Sequence, residues 1–250
     1  MSSSLTRAAR RPRVVAAAAA VSMAVVAALV ISQGGVTGAE QDPAAFTVAG
    51  DGGLPTTKPP LGESREPLST DETGYAIHLA STDRSIPAGA TNVRGESGPE
   101  ILQVDVPDDV DAGGRTAVVV LYDHSDDTTY RQLVDLAAGR VVHGQPSQQL
   151  QPPTSADEAA AAITIAIGAA APPTFAEQFA TLEGVPLVSP EQVRYVAGAW
   201  TFDGTTPGGS ACGKHRCARL MVQTPSGIYL DTSDVVVDLS TGLLIDLEKP

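Results

Sequence analysis

The chain has 250 residues, of which 42% are hydrophobic and 4% aromatic, so it can hold one large domain or two small ones. Its formal net charge is −13; without the four arginines of the first 39 residues, which include no acid, 12 basic residues face 29 acidic ones. Such a surface repels phosphate backbones and anionic headgroups, which excludes nucleic acid as an expected partner.

Residues 1–39 predict export. Arginines 7, 10, 11 and 13 precede an uncharged, mostly apolar run over residues 14–32. A basic segment followed by an apolar one is typical of a signal peptide, but this run is also about long enough to span a bilayer. Because Thr37-Gly38-Ala39 would serve as a cleavage site, a signal anchor and a removed signal peptide both stay open. The predicted location is the cell membrane, with a single span and the C-terminal region outside, or the secreted fraction.

Residues 40–67 predict a flexible linker. This segment contains five prolines among glycine, threonine and glutamate, a composition that cannot bury a core.

The stretch from Arg115 to His143 predicts an antiparallel meander. An apolar strand over Val118–Tyr122 is followed by a polar turn at Ser125–Asp127. Two more strands follow, over Tyr130–Leu136 and Arg140–His143, with a glycine-containing corner between them.

Two phrases of this sequence occur twice, in the same order. Ser69-Thr70-Asp71-Glu72 and Ser155-Ala156-Asp157-Glu158 both match a capping box, in which the serine and the glutamate cap the start of a helix. Asp135 and Asp238 both open an Asp-Leu-x-x-Gly phrase. The repeat predicts an α+β chain of two docked modules, residues 68–150 and 151–250, each a helix followed by an antiparallel sheet.

The second copy contains further predicted elements. A capping box at Thr174–Glu177 starts a helix whose Phe175, Phe179 and Leu182 share a face, and Gly184 ends it. Strands are predicted over Val193–Phe202, Ala218–Thr224, Ile228–Leu239 and Leu243–Leu247, with a turn at Pro225–Gly227.

Cys212 and Cys217 are the two cysteines of the chain. In an exported protein a disulfide between them is the default expectation. A metal site that also uses His215, and a redox-active cysteine pair, stay open as alternatives, although a fourth metal ligand is not evident.

Three other patterns favour structural over chemical interpretations. The loop Gly208–His215 matches a phosphate-binding Walker A loop except at His215, but it leads into a predicted strand instead of a helix. Asp123-His124-Ser125 has the letters of a catalytic triad, but neighbours on a strand point to opposite faces. The acids Asp123, Asp126 and Asp127 could gather calcium, although a solvated hairpin turn is the simpler interpretation.

Histidine and aromatic residues suggest two weaker sites. His124 and His143 would lie near each other on adjacent strands and could hold adventitious copper. Trp200, with Tyr195 and Phe202, could form a ligand surface. In a chain with so few aromatic residues, however, we expect these three to lie in the core.

The order of these motifs resembles the small N-terminal α+β domains of copper amine oxidases. The resemblance rests on Tyr-x-x-x-Val-Asp-Leu-x-x-Gly-Arg-Val-Val over Tyr130–Val142 and on Gln151-Pro152-Pro153 before a capped helix. It implies a tandem pair of cystatin-like modules over residues 68–247. The corner Asp238–Gly242 is also similar to PepSY-type domains of exported bacterial proteins.

The machinery of the oxidases is missing from this sequence. Their chemistry requires an Asn-Tyr motif and three histidines, two of them as His-x-His. The single asparagine here, Asn92, precedes a valine, and the histidines are isolated at positions 78, 124, 143 and 215. We therefore expect no catalytic residue, cofactor or metal, and the predicted function is an exported, non-catalytic binding or accessory protein. It would have an unidentified protein partner and meet the membrane only through its N-terminal segment; the alternative is a copper- or amine-related oxidoreductase.

Overall fold

The structure is a computed structural model that describes residues 53–107, 114–206 and 208–247. The predicted signal segment and residues 40–52 of the predicted linker lie outside the described residues. Within the described ranges, no helix combines the length and the apolar character needed to cross a membrane.

The described residues form two antiparallel four-stranded sheets with helices, which confirms the α+β class. The first half, residues 53–150, has strand order β1-β2-β3-β4, and the second half, residues 151–247, has the order β5-β6-β7-β8. The elements of the first half are α1 (Thr70–Ser81), β1 (Glu100–Asp105), β2 (Thr116–Asp123), β3 (Thr128–Asp135) and β4 (Arg140–Ser147). Those of the second half are α2 (Ala156–Ile167), α3 (Thr174–Glu183), a 3-10 turn (Pro190–Gln192), β5 (Arg194–Ala199), β6 (Cys217–Gln223), β7 (Val235–Asp238) and β8 (Leu243–Asp246).

Two of the three predicted capping boxes are present, at the starts of α1 and α2. Ser69 accepts a hydrogen bond from the amide of Glu72, whose carboxylate accepts one from the amide of Ser69. Ser155 and Glu158 repeat this exchange. The boxes satisfy amides that would otherwise be unpaired in the first helical turn, which is why each helix begins where it does.

Each half has its own hydrophobic core. Helix α1 packs on the first sheet, and its Tyr75, Ala76 and Ile77 are buried there with Val119 and Leu121 of β2. Helices α2 and α3 cover the second sheet, with Phe175 and Phe179 of α3 fully buried. Leu182 was predicted to share their face, but its side chain is 45% exposed, so the buried stripe of α3 is shorter than the sequence suggested.

The two Asp-Leu-x-x-Gly phrases form the same corner. Asp135 accepts a hydrogen bond from the amide of Ala138, and Asp238 accepts one from the amide of Thr241. Gly139 and Gly242 both have left-handed backbones, with φ of 65° and 69°. The repeated phrase is therefore a repeated turn.

The described part of the predicted linker packs against the first half. Leu54 and Leu61 are partly buried against its core. A Cβ atom on Gly74, in the middle of α1, would stand 2.7 Å from Pro55, so this glycine permits the close approach of the segment to the helix. Residues 53–67 thus differ from a free tether because their leucines have an apolar surface to cover.

The structure corrects several predicted boundaries. Thr174 is not a capping residue: Pro173 occupies the cap position of α3, and the Thr174 hydroxyl donates to Asp234 instead. The strand predicted over Ile228–Leu239 is reduced to Val235–Asp238, because Asp231 forms a turn with Ser233 that interrupts it. Strand β5 ends at Ala199, short of Phe202.

The left-handed corners supply a matched pair of substitutions. A Cβ on Gly139 would lie 2.8 Å from the Tyr75 hydroxyl, whereas a Cβ on Gly242 meets nothing within 4 Å. Both alanine variants bear the left-handed backbone cost of about 1–2 kcal/mol, and Gly139→Ala adds an overpacking cost of about 1 kcal/mol or more. Thermal or urea unfolding should therefore show the larger loss for Gly139→Ala. Equal losses would show that the corner of the first half is not packed as described.

Candidate functional site

A buried ion pair lies at the start of α2. The Arg216 Nε donates to Glu158 Oε1 at 2.8 Å, and Nη2 donates to Glu158 Oε2 at 2.7 Å. Both side chains are 0% exposed. The remaining guanidinium protons reach the side-chain oxygen of Gln151 and the carbonyls of Pro152 and Pro153. All five donors of the arginine are therefore used.

The first half contributes a further donor to the same carboxylate. His124, directly after β2, places Nε2 3.1 Å from Glu158 Oε1. Because the arginine-bound carboxylate can only accept, Nε2–H of His124 is the donor in this contact. The Ser155 amide donates to Oε2, so the carboxylate accepts four hydrogen bonds in all.

These contacts keep Glu158 charged in a buried position. Burial opposes ionisation, but the hydrogen bonds from His124 and Arg216 outweigh it and lower the pKa of the carboxyl. A buried ion pair is costly unless all its donors and acceptors are paired. Here that condition is met.

An aromatic ring and two more polar contacts extend the network. The Arg216 guanidinium lies 5.1 Å from the centre of the Tyr122 ring, and His124 meets that ring edge-on at 4.8 Å. Asp127 accepts from the Tyr122 hydroxyl and from Ser240 of the second half. Burial raises the pKa of Tyr122.

Glu100, the first residue of β1, makes another link between the halves. Its Oε1 accepts from the Ser155 hydroxyl at 2.8 Å, and its Oε2 accepts from the Val93 amide. Burial raises the pKa of Glu100. Together with His124 and Asp127, this residue makes the junction polar.

The first half contains an equivalent buried ion pair, between Arg115 and Glu72. Arg115 donates to both oxygens of Glu72, each at 2.7 Å, and reaches the carbonyls of Glu63, Glu66 and Pro67. The Gly62 amide donates to Glu72 Oε1 at 2.9 Å, the position that His124 occupies on Glu158. The Arg115 hydrogen bonds lower the pKa of Glu72 to about 2. In each half, then, an arginine ties the capping glutamate to the chain before the helix.

The predicted cysteine pair is a disulfide in the structure, with the Cys212 and Cys217 Cα atoms 5.5 Å apart. The Walker-like loop leads directly into β6, as the hairpin interpretation expects. His215 pairs with Asp238 at 2.8 Å, and this hydrogen bond raises the pKa of the imidazole. The histidine is thus held by the corner of the second sheet.

His124 and His143 are not neighbours, contrary to the prediction. His143 lies opposite Leu133, which pairs with Val118 near the start of β2, whereas His124 follows the end of β2. Strand β3 lies between β2 and β4, and β4 begins at the end of the sheet opposite the β2–β3 turn, where Arg140 pairs with Asp135.

The acids of the β2–β3 turn do not converge either. Asp123 accepts from the amides of Thr91 and Ser125, while Asp127 points to Tyr122 and Ser240. Within the described ranges, no group of three histidine, cysteine or acidic residues could hold a metal ion.

The aromatic residues proposed as a ligand surface separate into different clusters. Tyr195 packs against the core of the second half. Trp200 packs beside the disulfide. Phe202 lies near Trp200, since a Cβ on Gly209 would stand 2.5 Å from the Trp200 ring and 3.4 Å from the Phe202 ring.

The ion pairs were not predicted because their members are far apart in the chain. One sequence signal could have found them. Arg115 and Arg216 occupy the same position in the two copies, directly before a strand and two residues before an alanine. A comparison of the two copies would have shown that an arginine at this position accompanies the capping glutamate in both.

A cleft of about 690 Å³ lies away from this network, between the α2–α3 connection and β8. Alanine, proline and glycine residues form much of its lining, together with Asp234 and Asp246. It shares no residue with the buried ion pairs.

No protein-family model matches this chain, and no curated protein sequence matches it. Among solved structures, the chain is similar to a copper-containing benzylamine oxidase from Hansenula polymorpha, with a TM-score of 0.39 and 14% identity. The similarity covers 74% of this chain and 30% of the oxidase chain. The likeness is weak, and the resemblance to N-terminal oxidase domains stays a prediction.

The ion pair of the second half gives a controlled test. Glu158→Gln leaves the buried Arg216 charge without its counterion, so we expect a loss of about 3–5 kcal/mol in the free energy of unfolding. The control is Asp157→Asn, which removes a surface pair with Arg94 whose side chains are 47% and 55% exposed. That change should cost about 0–1 kcal/mol. Urea unfolding measures both, and similar losses would contradict the buried network.

Glu72 gives a pH-dependent test. Because its pKa falls from 4.5 to about 2 on folding, its stabilisation is complete above pH 4.5 and is lost as the pH falls towards 2. We expect the unfolding free energy of Glu72→Gln to decline less over this window than that of the unmodified chain. Parallel declines would show that Glu72 is not held as an ion pair.

Proposed function

We propose that this protein is an exported, non-catalytic binding or accessory protein, either anchored by its N-terminal segment or secreted. The observation that supports the proposal is the state of its buried charges. Glu158 and Arg216 are sealed from solvent, and each of their hydrogen-bonding groups is used within the chain. Such a network can fix a shape for recognition.

A catalytic role fits this network poorly. A general acid or base must come within hydrogen-bond reach of its substrate. The side chains of Glu158 and Arg216 are 0% exposed, and that of His124 is 6% exposed. In the folded chain these side chains are out of reach of a substrate. The arrangement therefore favours a structural role for these charges.

The disulfide supports the proposed location. Cys212 and Cys217 are both buried, and such bonds persist in oxidising compartments outside the cytoplasm. An exported pair of α+β modules would offer sheet edges and hairpin loops to a protein partner. The acidic composition of the chain would also favour a basic face on that partner.

The test compares this proposal with the oxidoreductase alternative. The full chain would be purified from its own cells, and its copper content, quinone redox staining and amine-dependent peroxide production would be measured. We expect copper well below one atom per chain and no peroxide above the level of a heat-unfolded control. We also expect a discrete envelope protein to co-purify after mild crosslinking. Stoichiometric copper together with amine turnover would overturn the proposal.

A further inference from the structure

The end of the first half that carries the β2–β3 turn is covered by the second half. Val93 packs against the core of the second half, Glu100 binds Ser155, and His124 binds Glu158. Residues of the loop before β1, of the start of β1 and of the turn after β2 therefore all contact the second half.

The second half has an end of the same construction. Arg115 and Arg216 align the two halves, and on this alignment the turn after β2 corresponds to the turn that begins at Thr224 after β6. The pairing is similar but not identical: Leu121 lies opposite Tyr130 in one hairpin and Val222 bonds Leu230 in the other, so the second turn is one residue shorter. The loop before β5 takes the place of the loop before β1.

At this second end, large apolar side chains are exposed to solvent. Val188 in the loop before β5 is 69% exposed, and Tyr229 in the hairpin after β6 is 67% exposed. We name these residues, together with their exposed neighbours, the apolar tip: Leu182, Val185, Val188, Ile228 and Tyr229.

Contacts on both sides hold the segments of the apolar tip at the same end of the second half. The Ser226 hydroxyl lies 3.4 Å from the Glu183 carboxylate, and the Asp231 amide donates to Gln178. These bonds hold the hairpin beside the C-terminal end of α3. The loop of Val188 lies at the same end, because the Val188 amide donates to the Gln192 side chain just before β5. The first residue of β5, Arg194, pairs with Gln223, which bridges Tyr229.

We propose that the apolar tip is the docking surface for a folded domain of a different protein. The inference rests on the proposed binding function and names its surface. The first half covers the equivalent end with a folded domain, and the second half leaves it open. Where the first half has His124 and Asp127, the corresponding turn has Pro225 and Gly227, the latter left-handed like Asp127. The exposed Ile228 and Tyr229 follow this turn, so the partner must present an apolar surface instead of a charged one.

A second copy of this chain is a poorer occupant. Head-to-tail docking would need the start of α1, but the Gly62 amide already binds Glu72 there and Leu61 covers the core beside it. Docking of two tips would bring together chains of net charge −13. A different chain meets neither obstacle.

A membrane surface is also a poorer occupant. Exposed acids outnumber bases in the segments of the apolar tip: Glu183, Glu191 and Asp231 stand against Arg194. They would face anionic headgroups and be repelled by them, whereas surfaces that bind membranes are typically rimmed by lysine and arginine.

Site-specific photocrosslinking of the full chain in its own cells tests the proposal. A benzophenone side chain is placed at position 188 or 229, and at position 142 as the control, because Val142 is 44% exposed on β4 of the first half. We expect positions 188 and 229 to yield the same discrete adduct with one other protein, and position 142 not to yield it. Tyr229→Asp should reduce the adduct from position 188 at least tenfold while the thermal transition is kept.

Four outcomes would overturn the proposal. They are an adduct of twice the chain mass, adducts with lipid alone, the same adduct from position 142, and no adduct from either tip position. If the chain co-purifies with a partner that crosslinks elsewhere, the proposed function stands and only the apolar tip is wrong. Amine turnover with copper would instead remove the proposed function itself.

Discussion

The ion pair between Glu158 and Arg216 determines how the second half is assembled. Removing two charges from water costs several kcal/mol per ion, and only complete pairing offsets that cost. Arg216 obtains its acceptors from the helix start and from the proline-rich chain before it. The pair therefore fixes three segments at once: the entry chain, the start of α2 and the start of β6. Any shift among them would leave a buried donor unpaired.

The equivalent ion pair of the first half shows which features the two halves share and which differ. Arg115 also uses all five donors, on Glu72 and on three carbonyls of the preceding chain. The difference lies in the last donor to the carboxylate, which is the Gly62 amide in one half and His124 in the other. In both cases the element that precedes the helix packs on its capped start. For the second half, the residue that packs there is His124, which belongs to the first half.

Local signals were sufficient for part of this structure. The capping boxes of α1 and α2, the meander from β2 to β4, the buried phenylalanines of α3 and the disulfide follow from short-range patterns, and these are present. The capping box predicted at Thr174 is absent. The ion pairs were not predicted because Glu158 and Arg216 are 58 residues apart, and neither residue is unusual in its local context. The strand predicted over Ile228–Leu239 was too long because the turn at Asp231, which precedes β7, depends on hydrogen bonds between Asp231 and Ser233.

The central claim is that the polar junction at His124 and Glu158 joins the two halves into one cooperative body. Differential scanning calorimetry of the purified chain tests it most directly. A single transition, with equal calorimetric and van't Hoff enthalpies, is the predicted result. Two separable transitions, with the disulfide intact in both, would show that the halves unfold independently and would contradict the account.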